Sequence, residues 1–249
     1  MRFFPKNFIL CLICLQMSSL TFSESNWHPV GAINVGAIFT DNVGNSVNFP
    51  IQNPDTDEFY SYQANHPTET KPLGGIFLGV EHPLWQNYLI QFGVEFNQAG
   101  AFEASGSLVQ GADEESANTY HYSYSLISQQ WLAIGKFLTT IHQYFHPYFL
   151  LGLGESFNKA YHYSVNVPTD LTNTRLFGNE NTTSFSYALG VGIDANVNAH
   201  LRFGLGYRFT DFGKVALGDS HIAGIPVSGT ISQSHFYANE LLAQFTYIV

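Results

Sequence analysis

The stretch LRFGLGYRFTDFGK, Leu201–Lys214, alternates between two kinds of side chain. Apolar residues take the odd positions from Leu201 to Phe209, whereas the even positions carry arginine, glycine and threonine. Alternation of this length predicts a β-strand with two unlike faces. Two opposite architectures give the same pattern, because a soluble barrel turns its apolar face inward and a membrane barrel turns it outward toward lipid.

Alternating segments recur throughout the chain and number eight in all, which predicts eight strands. The fourth, Thr119–Leu138, is irregular, since the apolar positions set by Tyr120 and Tyr124 change parity at Ser128–Gln130. We expect a β-bulge there. The other segments, in chain order, are Val30–Asp41, Leu73–His82, Tyr88–Asn97, Pro147–Phe157, Phe185–Asp194, Leu201–Thr210 and Glu240–Val249.

The connections between these segments alternate in length. Short ones fall at Pro83–Asn87, Thr139–His146 and Asn196–His200. Short turns on one rim and long loops on the other are the plan of a bacterial outer-membrane barrel. With an even number of strands, both termini are expected on the short-turn, periplasmic rim. The predicted long loops are Asn42–Pro72, Gln98–Asn118, Asn158–Thr183 and Phe212–Ser234.

The amino-acid composition favours the membrane barrel over the soluble barrel. Charged residues make up 11% of the chain, whereas soluble proteins average about 25%. In a soluble lipocalin-like cup, the same strands would turn their apolar face inward and present Gly, Ser and Ala to water. Those residues make a poor solvent-exposed surface. We therefore predict an all-β protein, an eight-stranded antiparallel up-and-down transmembrane β-barrel, with the odd positions of Leu201–Phe209 facing lipid and the even positions lining the interior.

The first residues form a separate segment. A basic opening with Arg2 and Lys6 precedes an apolar run from Phe8 to Leu15 and then small polar residues, which predicts a secretory signal peptide over residues 1–25. The run is too short to span a bilayer as a helix. We expect residues 26–249 to form one barrel domain. Both cysteines fall in the signal segment, so no disulfide or thiolate chemistry is predicted for the mature chain.

Charge narrows the possible partners. The chain has nine basic and nineteen acidic residues, and two of the basic ones belong to the signal segment. So acidic a chain is a poor partner for nucleic acid. We expect it to be surrounded by outer-membrane lipid and lipopolysaccharide, to bind no cofactor and to be a monomer.

Four stretches of the sequence carry a family resemblance: Gly204–Lys214, Trp131–Leu138, Tyr148–Phe157 and Tyr237–Val249. They resemble the outer-membrane β-barrel family. This family includes the OmpA-type transmembrane domains, the opacity-like surface proteins and the small porin-like proteins. The resemblance implies a barrel in the outer membrane of a Gram-negative cell, and it leaves the activity open because one fold supports many functions.

The resemblance also implies a signal for barrel assembly in the last strand. Family members usually close with an aromatic residue, often Phe, which the assembly machinery recognises. This chain has Phe245, Tyr247 and Val249 on one predicted face. We expect these three residues to carry the signal, although Val249 departs from the usual aromatic end.

Two His-x-Ser motifs, His121–Ser123 and His162–Ser164, are the candidates for an enzyme site. A serine beside a histidine on one strand face is able to act as a nucleophile with its base. In the lipid A deacylases that the motifs resemble, a carboxylate follows to orient the histidine, and neither motif has an acid at that spacing. Five histidines are expected at the periplasmic rim, on different turns and without metal-ligand spacing. We predict no catalytic site and no metal site.

The interior of an eight-stranded barrel is just wide enough for side chains to fill. Predicted inward positions include Arg202 and Arg208 on the seventh strand, Glu95 on the third, Glu155 on the fifth and Asp194 on the sixth. We expect Arg208 to meet Glu95 and Glu155, and Arg202 to meet Asp194. A buried guanidinium that lacks a carboxylate is costly, so these groups are predicted to form ion pairs.

Two details accompany this prediction. Lys136 joins the ion pairs if the fourth strand resumes with Trp131 and Phe137 outward. The glycines at 190, 192, 204 and 206 are expected to make room for the arginines. An interior closed in this way conducts few ions, whereas a narrow passive channel would hold the same charges in water.

Long loops are the usual carriers of recognition on a fixed scaffold. The aromatic EFYSYQ of Glu58–Gln63 and the acidic ADEES of Ala112–Ser116 are expected to project from the cell surface. The sequence therefore favours a structural or surface-interaction role, such as adhesion or envelope integrity, with an extracellular ligand bound through the loops. The alternative is a narrow, porin-like channel.

Overall fold

The chain is seen in a computed structural model that describes residues 26–49, 59–111, 115, 117–168 and 174–249. These residues contain β-strands and no helix, and therefore no helix that is long and apolar enough to cross a membrane. The strands are β1 His28–Thr40, β2 Val47–Phe49, β3 Phe59–Asn65, β4 Glu69–Trp85, β5 Tyr88–Ala99, β6 Phe102–Gly111, β7 Asn118–Thr139, β8 Phe145–Asn166, β9 Arg175–Phe177, β10 Glu180–Asn196, β11 Leu201–Asp211, β12 Val215–Ala216, β13 Ser220–Ile222, β14 Ile225–Val227, β15 Ser232–Gln233 and β16 Tyr237–Ile248.

Eight of these strands pair in a ring. Strand β1 pairs with β4, β4 with β5, β5 with β7, β7 with β8, β8 with β10, β10 with β11, β11 with β16, and β16 with β1. Every pair is antiparallel, and each strand neighbours the ring strands before and after it. The prediction of an all-β chain built on eight strands is confirmed.

The shorter strands continue the ring strands on the side away from the short turns. Strand β3 pairs with β6, and β6 with the first part of β7, so these strands prolong β4 and β5. On the other side, β9, β13 and β14 form a small sheet, and β12 pairs with β15. We call this part of the molecule the extension: it comprises β2, β3, β6, β9 and β12–β15, with the adjoining ends of β7 and β8.

The extension replaces much of what the sequence predicted as long loops. In the Asn42–Pro72 segment, Tyr60 and Tyr62 lie on β3 and point inward, where both are buried. The expectation that EFYSYQ projects from the surface is therefore wrong for these aromatic residues. Glu58 and, apart from Glu115, the ADEES segment lie outside the described residues.

Near the short turns, apolar side chains cover the outside of the ring. On β11, Leu205 and Tyr207 are exposed, whereas Arg202 and Arg208 are buried inside. The other ring strands follow the same rule. The exposed apolar residues, which we call the apolar band, are Ile33, Val35, Ile76, Leu78, Phe92, Val94, Trp131, Phe137, Phe149, Leu151, Leu153, Leu189, Val191, Ile193, Leu205, Tyr207, Leu241 and Phe245.

Strand β7 reverses this arrangement along its own length. In the apolar band, Trp131 and Phe137 are 50% and 40% exposed. In the extension, Tyr122 and Tyr124 are buried on the opposite, inward face. One unbroken strand thus has an apolar exterior in its second half and an apolar interior in its first half. The two halves match the two solvents that a membrane barrel with an outer domain would meet.

The bulge expected at Ser128–Gln130 is absent from β7, so that prediction is wrong. Ser128 and Gln130 keep the inward parity of the whole strand and are buried. The extra residues lie in the neighbouring strands. One falls at 100–101, between β5 and β6, and another on β8 beside His162, whose φ is 56°. The apolar residues of β7 change from the inward to the outward face because the surroundings of the strand change along its length. This change, and not a bulge, produces the shift of apolar parity in the sequence.

A single aromatic side chain accounts for two of the interior glycines. A Cβ on Gly192 would collide with the carbonyl oxygen of Leu205 and lie 2.5 Å from the ring of Tyr148, and one on Gly206 would collide with the Tyr148 hydroxyl. The expectation that both glycines make room for the arginines is wrong. They make room for Tyr148, whose ring centroid lies 3.8 Å from Nζ of Lys136.

Candidate functional site: the polar interior and its aromatic cap

Arg208 lies at the centre of the interior and is 2% exposed. Its Nη1 donates to Glu95 of β5, and its Nε donates to Glu240 of β16 at 2.5 Å. Both carboxylates are buried as well. Because ionised donors and acceptors form the stronger hydrogen bonds, this cluster ties three strands together across the ring.

The cluster continues through polar side chains to the opposite wall. Asn34 Nδ2 donates to Glu95 at 2.8 Å, and Gln244 Nε2 donates to Asn34 at 2.8 Å. Lys136 Nζ donates to Gln244 at 2.8 Å and to Asp194 at 2.7 Å. With Arg208 and Glu240, the chain of contacts runs through β1, β5, β7, β10, β11 and β16. It therefore crosses the interior from wall to wall.

Arg202 forms a second cluster nearer the short turns. Its Nη1 and Nη2 donate to the two carboxylate oxygens of Glu81 at 2.7 and 3.3 Å, and Nε donates to Asn196 at 3.0 Å. Gln91 donates to the same carboxylate at 2.6 Å. The expected pairing of Arg202 with Asp194 is wrong. Asp194 instead forms an ion pair with Lys136, and Glu81 accepts a bidentate contact from Arg202.

Glu155 does not lie in the interior, and the prediction that it meets Arg208 is wrong. Strand β8 carries Leu150 and Leu151 in succession, so its sequence does not show which face is apolar. The structure buries Leu150 and turns Leu151 and Glu155 outward. Glu155 lies opposite Trp131 of β7 and Phe185 of β10, at the edge of the apolar band.

Sequence reasoning missed two of the carboxylates. The interior clusters hold three cations and four carboxylates, of which Glu81 and Glu240 were not predicted as partners. The alternation of the last strand predicts that Glu240 lies on its polar face, and this pattern was the signal that could have identified Glu240 as an interior carboxylate. Glu81 lies in a weakly alternating segment, so its orientation was set only by the pairing of β4 with β1 and β5.

An aromatic layer covers the charged clusters on the side of the extension. Phe212 and Phe236 lie two inward positions beyond Arg208 and Glu240, and their rings are 5.5 Å apart. Phe102 packs edge-on against Phe236 at 5.3 Å. All three are almost completely buried. Asn158 fixes the segment after β11 by donating to the carbonyls of Phe212 and Lys214 at 2.7 and 2.9 Å. We call these three rings the aromatic cap.

Beyond the cap, Arg175 holds the extension together. The residue is 3% exposed, and its guanidinium stacks on Phe49 at 3.6 Å. Nη2 donates to the Ser220 hydroxyl at 2.7 Å and to the carbonyls of Ser228 and Gly229 at 2.5 and 2.6 Å. Burial lowers the pKa of Arg175, and it raises the pKa of the neighbouring Tyr62. The contacts link β2, β9, β13 and the segment after β14.

The His-x-Ser motifs meet on the exposed face of the extension. Ser123 Oγ lies 3.2 Å from Ser164 Oγ, so the hydrogen bond joins the two hydroxyls. Among the described hydrogen bonds, neither serine is paired with a histidine. His162 instead has its ring against Tyr161. This geometry lacks the hydroxyl–imidazole contact that activates a nucleophile.

Two of the predicted assembly residues, Phe245 and Tyr247, lie on the outside of β16, and Val249 follows the end of that strand. Phe245, Tyr247 and Val249 are all exposed, and Tyr247 stacks on His200 of the short turn before β11. The backbone N–H of Val249 donates to Pro29 at 3.0 Å. Their use as an assembly signal stays a prediction.

A ring of eight antiparallel strands with an apolar exterior and a charged interior is the arrangement of an outer-membrane barrel. The family model of the outer membrane protein beta-barrel domain matches residues 8–245. The chain belongs to this family. Membership places the protein in the outer membrane, as the sequence predicted.

Solved structures of several outer-membrane proteins are similar to the chain at low identity. Neisserial surface protein A is 13% identical, with a TM-score of 0.42 and coverage of 90% of this chain and 97% of that one. OprG from Pseudomonas aeruginosa is 12% identical, with a TM-score of 0.49 and coverage of 88% and 95%. The protease OmpT from Escherichia coli is 10% identical, with a TM-score of 0.45 and coverage of 93% and 99%. No curated protein matches the chain in sequence.

Proposed function

We propose that the protein is an eight-stranded transmembrane barrel with a non-conducting interior that serves as a structural or surface-interaction protein. The observation that carries this proposal is the continuous set of polar contacts across the interior, with aromatic rings packed beside it. The contacts from Glu240 through Arg208 to Asp194 cross the ring, and the aromatic cap lies above them. A packed apolar layer excludes water and ions more strongly than a charged lining does. This argues against the channel.

The apolar band supports the position in the membrane. A transmembrane strand needs roughly 9–11 residues, whereas β7 and β8 each have 22. About half of each strand therefore rises beyond the band. We propose that the extension lies outside the cell, among lipopolysaccharide, and that the short turns and both termini lie in the periplasm.

The extension supports the surface role. It has its own buried core, in which Tyr62 packs against Phe49, Tyr122 and Phe177. A rigid outer domain holds its exposed side chains in fixed positions, which favours recognition by preformed surfaces. We propose no catalytic activity, in keeping with the hydrogen bond between Ser123 and Ser164.

Planar-bilayer conductance of the refolded protein tests this function. We expect the wild type to show little steady conductance and to migrate differently on a gel with and without boiling in SDS, as a folded barrel does. Steady porin-like conductance of a protein that is folded by the gel criterion would favour the channel instead. Absence of the protein from the outer-membrane fraction would contradict the transmembrane placement.

A further inference from the structure

A polar pocket lies in the extension, beside the part of β10 that runs past the end of β11. The pairing of β10 with β11 ends at Tyr187 and Asp211, whereas the pairing of β10 with β8 continues to Glu180. The pocket opens in the gap that this difference leaves and has a volume of about 500 Å³. This volume lies within the range of sites for drug-sized molecules.

Three charged residues line the pocket without pairing with one another. Lys214 supplies an ammonium group, Glu180 and Asp219 supply carboxylates, and all three residues are exposed. Among the described residues, none of the three has an oppositely charged group within 4.0 Å. The pocket therefore offers one cation and two anions to a ligand.

The backbone that carries these charges is held in place. Asn158 Nδ2 donates to the carbonyl of Lys214 at 2.9 Å, and the N–H of Gly178 donates to the carbonyl of Asp219 at 2.9 Å. Glu180 lies on β10, in register with β8. The charged groups thus start from fixed positions, which lowers the entropic cost of binding a ligand between them.

The opposite wall of the pocket is fixed by a buried residue. Arg175 lies behind this wall and donates to the carbonyls of Ser228 and Gly229 at 2.5 and 2.6 Å. The hydroxyl of Thr230 donates to the carbonyl of Leu217 at 2.6 Å. Arg175, which belongs to neither interior cluster, is therefore a positioning residue for the pocket.

The lining matches a ligand that carries both signs of charge. A simple anion or cation would engage only one of the two kinds of charged group, and a neutral saccharide would engage neither. The lining also includes Asn181 and Thr182, which form hydrogen bonds, and Ala216 and Val227, which are apolar. A zwitterion with amide groups and small side chains satisfies all of these features.

We propose that the pocket binds a free peptide of about two or three residues, which is a size that its volume accommodates. The terminal carboxylate contacts Lys214, and the terminal ammonium group contacts Glu180 and Asp219. This inference rests on the proposed surface-interaction role and deepens it, because it names a class of ligand that reaches the extension from outside the cell.

Isothermal titration calorimetry of trialanine into the refolded protein, in detergent with EDTA, tests the site. Amidation of the peptide's C-terminus should weaken binding about fivefold, and acetylation of its N-terminus should do the same. Each modification removes one exposed ion pair, and about fivefold is the upper range of what such a pair contributes.

Matched variants assign each end of the peptide to its partner. Lys214→Gln should bind trialanine and amidated trialanine equally, while still binding the acetylated peptide more weakly. Glu180→Gln/Asp219→Asn should show the opposite pattern. Lys159→Gln is the control, since Lys159 is an exposed lysine outside the lining, and it should bind all three peptides as the wild type does.

Three results would overturn the proposal. The first is the absence of any heat of binding at a trialanine concentration of about 10 mM. The second is unchanged discrimination between free and amidated peptide by Lys214→Gln. The third is equal binding of a peptide capped at both ends, which would assign the pocket to an internal segment of a protein chain. Because the protein is folded by the gel criterion and studied in detergent, these failures are distinct from steady conductance or absence from the outer membrane.

Discussion

At the scale of single residues, the stability of the interior depends on how many hydrogen-bond partners each buried charged group has. Glu95 accepts hydrogen bonds from Arg208, Asn34 and Asn97, whereas Glu240 accepts a hydrogen bond from Arg208. Removing one partner of a buried pair leaves the other charge uncompensated, and this costs more than the pair itself contributes. The most connected residues should therefore be the most sensitive to substitution.

Arg208→Ala should lower the free energy of unfolding by about 3–5 kcal/mol, because two buried carboxylates lose their cation. Urea unfolding in lipid vesicles, followed by tryptophan fluorescence, measures the change. Lys159→Gln is the control, since Lys159 is exposed and forms no ion pair among the described residues. A loss under about 1 kcal/mol would mean that interior water replaces the guanidinium.

Glu95→Gln should destabilise the protein more than Glu240→Gln in the same measurement. Both changes keep the shape and remove one charge, but Glu95 organises three donors. The glutamine amide at position 95 would have to replace an acceptor with a donor facing Asn34 or Asn97. Equal losses would show that charge, rather than hydrogen-bond geometry, decides the effect.

At the scale of one element, β7 shows how surroundings select the apolar face. Its inward parity never changes, yet apolar side chains point out toward the proposed lipid at Trp131 and inward at Tyr122. In lipid the exterior must be apolar, whereas in water the interior must be. Polar substitutions on the outer face should therefore have effects that depend on height along the strand.

Ala133→Arg should cost about 2–4 kcal/mol, because Ala133 is exposed on the outward face of β7, between Trp131 and Phe137 of the apolar band. His121→Arg on the same strand should have almost no effect, since His121 is exposed in the extension. Both free energies come from unfolding in vesicles. A comparable loss for the two variants would contradict the boundary that we place between them.

Gly206→Ala should destabilise the ring by about 1–3 kcal/mol, because the new methyl group would force Tyr148 away from Lys136. Gly74→Ala is the matched control, as a Cβ there meets nothing within 4 Å. Thermal unfolding measured by circular dichroism compares the two. If both variants melt like the wild type, Tyr148 has room that the structure does not show.

Burial raises the pKa of Tyr122 in the extension from 10.0 to about 12. A raised pKa means that the folded protein favours the neutral phenol. The resulting stability is fully present below pH 10 and is lost as the pH rises through about 12. Between these values the free energy of unfolding should fall less steeply for Tyr122→Phe than for the wild type. Parallel curves would show that the phenol is accessible to water.

At the scale of the whole molecule, the proposal places the extension and the short turns on opposite sides of the membrane. Gln63 on β3 and Val197 in the turn before β11 are both exposed. The mature chain has no cysteine if residues 1–25 are removed. On intact cells, an impermeant maleimide should label Gln63→Cys and leave Val197→Cys unlabelled. The reverse pattern would mean that the barrel is inserted upside down.

The sequence by itself determined the eight ring strands, the outward apolar face of those that alternate strongly, such as β11, and the inward position of Arg208 and Glu95. Each followed from alternation with period two, which is a local property of the chain. Where two apolar residues are adjacent, as at Leu150 and Leu151, the local pattern does not show which face of the strand is apolar. For that reason the sequence predicted Glu155 in the interior, whereas it lies on the outside.

Only the tertiary structure decided which charges meet and what the long connections become. Arg202 pairs with Glu81 rather than Asp194 because strand pairing brings side chains from distant parts of the sequence to one height. Tyr62 is buried because other strands of the extension surround it, not because of its neighbours in the chain. Alternation is set residue by residue, whereas pair partners depend on the register of all eight strands, and no single stretch of sequence contains that register.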